Sequence, residues 1–323
     1  RPEGLAVLQR LLGTTDVFIT NFPLPVRARL KIAAADLLAI NPRLVYGSMT
    51  AYGETGEEAD RTGFDATAYW ARSGLMDMVT ATAETEPARS MPGMGDHPTG
   101  TALYAAIVTA LYRREKTGLG GVAQTSLLEN GLWANGCFVQ TRLFGEHVVH
   151  RPPRTEAPSA LANHYRCRDG RWFLMALHNE ARQLASFLKA IEAEHLAQDP
   201  RFATAPERRA NARALTAILD DIFARRDLAE WRPILEKAGV TFGAVFSVNE
   251  AADDRQAREI GALVPFADGA GLTVSSPFDL DGATKVAARR APAVGQHSEP
   301  VLHDAGYTAD EIARLKALGV LQS

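Results

Sequence analysis

Two short apolar runs near the start constrain the fold of this chain more than any other feature. Asp16-Val-Phe-Ile-Thr and Leu44-Val-Tyr-Gly-Ser-Met are bounded by turn residues, and each reads as a short buried strand. Helical spacing comes before and between them. Residues 3–12 form one such stretch, closed by Gly13; a second lies around residues 26–30, and a third at 33–40 stops before Asn41-Pro42. Helix, strand, helix, strand with short connections predicts an α/β fold with a doubly wound parallel sheet. Asn21-Phe-Pro-Leu-Pro is expected to be a loop, because two prolines in three residues continue neither element. Residues 51–63 form a polar loop rich in Gly and Glu. Both loops follow strands and therefore belong at the carboxyl edge of the sheet, where open α/β sheets bind ligands.

The stretch from 91 to 114, MPGMGDHPTGTALYAAIVTALYRR, places one carboxylate, Asp96, between a Gly-Met-Gly turn and an apolar helix with Leu103, Ile107, Ala110 and Leu111 on one face. Gly93 and Gly95 allow a sharp turn and leave room for something bulky beside the acid. Two readings of Asp96 stand. It is an N-cap, whose oxygen accepts an early helical N–H, or it is an exposed nucleophile or base at the positive end of the helix dipole, with Thr99 as the cap.

Around this stretch, residues 64–78 read as one helix whose Tyr69 and Trp70 suit a core, and residues 79–95 as a long loop. Lys116-Thr-Gly-Leu-Gly-Gly lacks the ending of a phosphate loop. Val122-Ala-Gln-Thr-Ser is a third strand, and 127–145 a long helix with so little charge that it is expected to be buried or at an interface.

Composition shifts at Arg151-Pro-Pro-Arg-Thr-Glu-Ala-Pro, a stiff linker. Beyond it, residues 164–177 predict a hairpin turning on Asp169-Gly170. Amphipathic helices follow at 180–194, 207–224 and 228–237, with a strand at 240–246 and a second hairpin at 264–276. Arg208, Arg209 and Arg213 read as a solvated helix face rather than a phosphate patch. The tail ends in a helix at 309–318. The expected organisation is a large domain at 1–150, a small α+β domain with its linker at 151–275, and a C-terminal segment at 276–323.

Bulk properties narrow the function. A chain of 323 residues suits roughly two domains of about 100–200 residues each. A net charge of −3 disfavours a nucleic-acid partner, and the short, interrupted apolar runs disfavour a membrane span. Cys137 and Cys167 lie in unrelated contexts, which suits a reducing, cytoplasmic setting. Metal-ligand spacing, a G-x-S-x-G elbow and a G-x-G-x-x-G loop are all absent from the sequence, so no metal is expected. The opening Arg1-Pro-Glu-Gly has no initiator Met and reads as a start inside a longer protein, with an N-terminal unit missing. What the residues leave is one well-presented carboxylate, suited to covalent catalysis or to proton abstraction.

An ordered set of short matches then runs along nearly the whole chain. It includes Asp16-Val-Phe-Ile-Thr-Asn-Phe22, Asn41-Pro-Arg-Leu-Val-Tyr46, Tyr52-Gly53, Gly63-Phe-Asp65 and Ser73-Gly-Leu-Met76. Gly95-Asp96 with Thr99-Gly100, Ser126-Leu-Leu-Glu129, Tyr165 to Trp172, Ala238-Gly-Val240 and Gly295-Gln-His-Ser298 continue it. In this set the chain resembles the class III CoA-transferases, the CaiB/BaiF group that includes formyl-CoA and carnitine CoA-transferases. The resemblance implies an interlocked homodimer of subunits that each pair a Rossmann-like domain with a smaller one. It also implies acyl-CoA and a small carboxylic acid as substrates, with no permanently bound cofactor. The family's catalytic aspartate falls on Asp96, which would carry first an acyl anhydride and then a CoA thioester. Arg29, Tyr52, Asn21 and Thr50 are the expected CoA contacts. Gly95, Phe64, Trp70 and Arg72 are the expected lining of the acyl pocket.

Departures from the family pattern are informative. Asn-Phe-Arg-Pro-Gly is common there, whereas Asn21-Phe-Pro-Leu-Pro lacks the arginine. The glycine-rich loop of formyl-CoA transferases is replaced by Glu156-Ala-Pro-Ser-Ala-Leu-Ala, which disfavours formyl/oxalate exchange. The racemase branch of the fold carries a His where Phe64 stands, so a two-base 2-methylacyl-CoA racemase lacks its second group unless His97 serves. The two alternatives to CoA transfer are therefore that racemase and a non-catalytic CoA-binding paralogue.

Overall fold

A computed structural model describes residues 1–82, 84–148 and 152–321. In chain order, the first part runs α1 (Pro2–Leu12), β1 (Val17–Thr20), α2 (Leu24–Leu30), α3 (Ala34–Ile40) and β2 (Val45–Thr50). A π-helical segment (Asp65–Ala71), α4 (Leu75–Val79), α5 (Asp96–Thr117), β3 (Gly121–Ser126), α6 (Leu127–Ala134) and α7 (Gly136–Leu143) follow. The middle part contains β4 (Ala162–Arg166), β5 (Trp172–Ala176), α8 (Glu180–Ala190), α9 (Ala205–Ala210), α10 (Ala212–Phe223), α11 (Leu228–Lys237) and β6 (Phe242–Ala244). It continues through α12 (Val248–Asp253), α13 (Arg255–Glu259), β7 (Leu263–Pro265) and β8 (Leu272–Val274), and the tail adds α14 (Ser298–Asp304) and α15 (Ala309–Ala317). These elements gather into two compact units, Arg1–His150 with Pro292–Ser323, and Arg151–Ala291.

In the first unit β1, β2 and β3 form a parallel sheet in that order, with Thr20 beside Ser48 and Thr50 beside Ser126. Side chains alternate across β2 as a pleat requires. Tyr46 packs with Leu12, Ile32 and Leu37 from the α1–α3 side, whereas Val45 packs with Leu103 and Ile107 of α5 on the opposite face. Both faces are thus covered by helices, the doubly wound arrangement expected of alternating helices and strands. Gly47 lets α5 lie close, since a Cβ there would stand 2.9 Å from Cδ1 of Ile107. The tail packs on α1, where Leu302, Ile312 and Leu315 gather Val7 and Tyr307, and Arg10 lies over the Tyr307 ring at 4.1 Å.

The second unit is built on the antiparallel sheet β4-β5-β6, with Arg166 opposite Trp172 across the Asp169-Gly170 turn. Its core is aromatic: Phe223 of α10 meets Phe173 edge-on at 4.9 Å and Tyr165 at 5.0 Å.

Several expectations are corrected. The loop at 21–25 is shorter, because α2 begins at Leu24 with Pro25 in its first turn, where the missing N–H is no loss. Residues 64–78 are two helical pieces. The first is π-wound, with the Arg72 N–H bonded to the Thr67 carbonyl at 3.2 Å, and Gly74 at φ +83° turns the chain before α4. The expected helix at 127–145 breaks at Asn135, whose side chain donates to the Ser73 carbonyl at 3.0 Å instead of facing solvent. Arg208 is not on a solvated face: it is buried, donates to Glu180 at 2.8 Å, and holds the Phe202 carbonyl at 2.8 Å.

Candidate active site

The carboxyl ends of the three parallel strands open into a cleft of about 570 Å³. Asn21, Phe22 and Pro23 follow β1 on one side, Met49 to Ala51 close β2, and Leu127 follows β3. Arg61 to Phe64 form the facing wall, and Asp96 stands in the lining.

Asp96 reaches this position through a tightly held turn. Gly93 adopts φ +79°, a conformation that disfavours any side chain, and its N–H donates to Oδ2 of Asp65 at 2.7 Å. The other carboxylate oxygen of Asp65 accepts the Ala66 N–H at 2.6 Å. Gly95 is buried against Tyr69: a Cβ there would stand 2.6 Å from the Cβ and Cγ of that residue. The space left by this glycine is therefore filled by Tyr69, and Gly95 serves packing rather than the substrate pocket. Helix α5 begins at Asp96 itself, with Gly95 as its cap residue. Thr99 lies inside the helix, buried, with Oγ1 donating to the Gly95 carbonyl at 2.7 Å, so neither Asp96 nor Thr99 is the side-chain cap.

The Asp96 carboxylate is exposed and, among the described residues, makes no side-chain hydrogen bond or ion pair. It stands in the first turn of a 22-residue helix, at the end where the backbone N–H groups point outward. The neighbouring His97 ring lies over Gly93, where a Cβ would stand 3.2 Å from its Cε1 and Nε2, and it is outside the cleft lining.

The other expected site residues divide. Asn21, Thr50 and Phe64 line the cleft with Asp96, and Phe64 is 69% exposed. Thr50 also shapes the following loop, its Oγ1 accepting the Gly53 N–H at 3.0 Å. Arg29 does not line the cleft; it is exposed on the last turn of α2. Tyr52 packs behind Gly63, with the guanidiniums of Arg61 and Arg72 lying 5.4 and 6.0 Å from its ring. Trp70 is 5% exposed, and its Nε1 donates to the Ala88 carbonyl at 2.7 Å, so it belongs to the core under the π-helical segment. Arg72 is bound to Glu58 at 2.9 Å, away from the lining. Trp70 and Arg72 are therefore corrected from pocket lining to support.

Three residues near the cleft carry roles that sequence reasoning missed. Arg61 is a cation in the lining, paired with Glu58. Arg27 is buried behind the Asn21–Pro23 wall. Asp65, which enters the sequence reading only within Gly63-Phe-Asp65, fixes the turn before Asp96. Arg27 and Arg29 lie two apart on α2 and so point differently; the spacing says that one faces inward without saying which.

Among the described residues, no group of three or more His, Cys, Asp or Glu side chains could hold a metal ion, and no helix is long and apolar enough to cross a membrane. The family described as CoA-transferase family III matches residues 1–298. The (R)-2-hydroxy-4-methylpentanoate CoA-transferase of Clostridioides difficile is 32% identical over 320 residues, which cover 97% of this chain and 79% of that protein. The alpha-methylacyl-CoA racemase of Mus musculus is 26% identical over 333 residues, covering 100% and 83%. Among solved structures, a CaiB/BaiF family protein from Brucella suis is similar at a TM-score of 0.83 and 27% identity, covering 94% of this chain and 79% of that one. The parallel sheet with its open carboxyl edge is thus a shared scaffold, and the chain belongs to CoA-transferase family III, as a class III CoA-transferase enzyme.

Proposed function

We propose that the enzyme moves CoA from an acyl-CoA donor to a carboxylic-acid acceptor through a covalent intermediate on Asp96. The observation that carries this reading is the unpaired Asp96 carboxylate at the head of α5, facing a cleft with both apolar and polar walls. A carboxylate oxygen of Asp96 attacks the thioester carbonyl. The C–S bond breaks, CoA leaves as the thiolate, and a mixed anhydride remains. The thiolate attacks the aspartyl carbon, the donor acid leaves as its carboxylate, and Asp96 becomes a CoA thioester. The acceptor carboxylate attacks that thioester and expels the thiolate, which then attacks the acceptor's acyl carbon and restores Asp96. No proton is gained or lost, and one difficult exchange becomes two pairs of easier steps.

Asn21 and Thr50 offer polar contacts for CoA along the β1 and β2 wall, and Phe22, Met49 and Leu127 offer apolar surface to the pantetheine arm or an aliphatic acyl group. The C. difficile relative is named for an aliphatic hydroxy acid, and such acids are the first acceptors to try. The racemase reading is weaker. Phe64 stands where the racemase branch carries an imidazole, His97 lies outside the lining, and inversion requires a base and an acid on opposite faces. A non-catalytic paralogue would have no need to keep Asp96 free.

An interlocked homodimer is supported by α6 and α7 and the residue that follows them, which present Trp133, Leu143 and Phe144 at 88, 73 and 78% exposure. The free thiols of Cys137 and Cys167 suit a cytoplasmic setting. The test of the function is Asp96→Ala, which should abolish transfer and leave fold and oligomer intact; near-normal turnover would overturn the assignment.

A further inference from the structure

Beneath the Asn21–Pro23 wall of the cleft lies a buried polar network that the proposed chemistry does not use directly. Arg27 is 2% exposed. Its Nε donates to the carbonyl of Phe22 at 2.6 Å, and Nη1 donates to Oγ of Ser48 at 2.8 Å and to Oε1 of Glu54 at 2.6 Å. Ser48 in turn donates to the same Glu54 oxygen. The Phe22 N–H is held by Thr20 Oγ1 at 3.2 Å, so both backbone polar groups of this cleft residue are fixed. One guanidinium therefore bridges three pieces of chain: the loop after β1, the end of β2, and the loop after β2 that leads to Arg61.

A purely stabilising role explains this arrangement poorly. Nη2 of Arg27 is buried without a partner among the described residues, and a buried ion pair contributes little net stability compared with apolar packing. What the network does supply is a fixed separation between the Phe22 wall and the Met49–Ala51 wall. Arginine suits it because its planar fork offers several donors in rigid geometry, which a lysine cannot reproduce.

We infer that Arg27 is a positioning residue for the CoA-binding wall of the cleft, acting through the Phe22 carbonyl and Glu54; this rests on the reading of the cleft as the CoA site. The experiment measures CoA binding by calorimetry and the thermal midpoint for the wild type, Arg27→Lys, Glu54→Gln and Arg114→Lys. Arg114 is a matched control, a second buried arginine with a nitrogen that makes no hydrogen bond, which ties α5 to Asp16 and the Arg43 carbonyl at the opposite end of the strands. Arg27→Lys should weaken CoA binding about tenfold or more, while Arg114→Lys lowers the midpoint and keeps affinity within about twofold. If Arg27→Lys does not fold, Glu54→Gln, which retains an oxygen acceptor, carries the same test with a loss of several-fold. CoA affinity unchanged in whichever of the two folds overturns the positioning role. A wild type that does not bind CoA refutes the reading of the cleft instead.

Discussion

The carboxylate of Asp65 holds the backbone N–H of Gly93 at 2.7 Å, joining the start of the π-helical segment to the turn that delivers Asp96 to the cleft. The bond fixes a glycine in a left-handed conformation three residues before the proposed nucleophile. Removing it leaves the turn free to shift, and a displacement of about 1 Å at a reacting group can lower a rate by roughly a hundredfold. Asp65→Ala is therefore expected to lower kcat by about ten- to a hundredfold with a smaller effect on CoA binding, and Asp65→Asn, which keeps an acceptor, to recover part of it. Steady-state kinetics of the two variants check this, and an unchanged kcat in Asp65→Ala would refute it.

Gly95 and Gly100 make opposite predictions from the same substitution. A Cβ at Gly95 would overlap Tyr69, whereas one at Gly100 in α5 meets nothing within 4 Å. Gly95→Ala should cost about 1–3 kcal/mol and displace Asp96, with loss of turnover. Gly100→Ala should be neutral or stabilising by about 0.5–1 kcal/mol, since glycine weakens a helix interior. Urea unfolding of both variants decides, and equal midpoints would contradict the packing described.

The sheet edge that forms the cleft is legible in the sequence, because short β-branched runs between helical patterns leave few alternatives and place the loops after β1 and β2 on one side. Asp96 is visible as a carboxylate at a helix start, but the choice between a cap and a free group is not: Gly95 is seated at the cap against Tyr69, which comes from elsewhere in the chain. Trp70 and Arg72 stand on a segment whose apolar spacing suggests a regular helix. Trp70 is held in the core by the Ala88 carbonyl and Arg72 by Glu58, and local spacing carries no sign of either partner. Arg208 and Arg27 show the same limit, since a buried arginine differs from a solvated one only through its partners, Glu180 and Glu54.

The two cysteines should differ in reactivity. Cys137 is exposed, whereas burial, aided by Asp169 and Asp227, pushes the Cys167 thiol from 9.0 up to about 12. Iodoacetamide at neutral pH should leave Cys167 unlabelled in the native protein and label both residues after denaturation. The folded state holds the Cys167 proton more tightly than the unfolded chain. Its contribution to stability is thus complete below pH 9 and lost as pH rises towards 12. Burial raises the Tyr165 phenol as well, so its contribution is lost in the same direction at pH above 10. Thermal midpoints should fall across this alkaline range; a midpoint that rises there would contradict the burial of both groups.

The apolar surface of α6 and α7 predicts that the protein sediments as a dimer of 34.9 kDa chains. Trp133→Asp should shift the species towards monomer or insoluble material. A soluble wild-type monomer at micromolar concentration would exclude the interlocked assembly.

The covalent step on Asp96 is tested most directly by trapping. The enzyme is incubated with an acyl-CoA donor and hydroxylamine, digested, and analysed by mass spectrometry. Conversion of Asp96 to its hydroxamate, dependent on the donor and absent from Asp96→Ala, is the predicted result. Turnover in the absence of any adduct at Asp96, or exchange of the α-hydrogen for solvent deuterium without one, would contradict it.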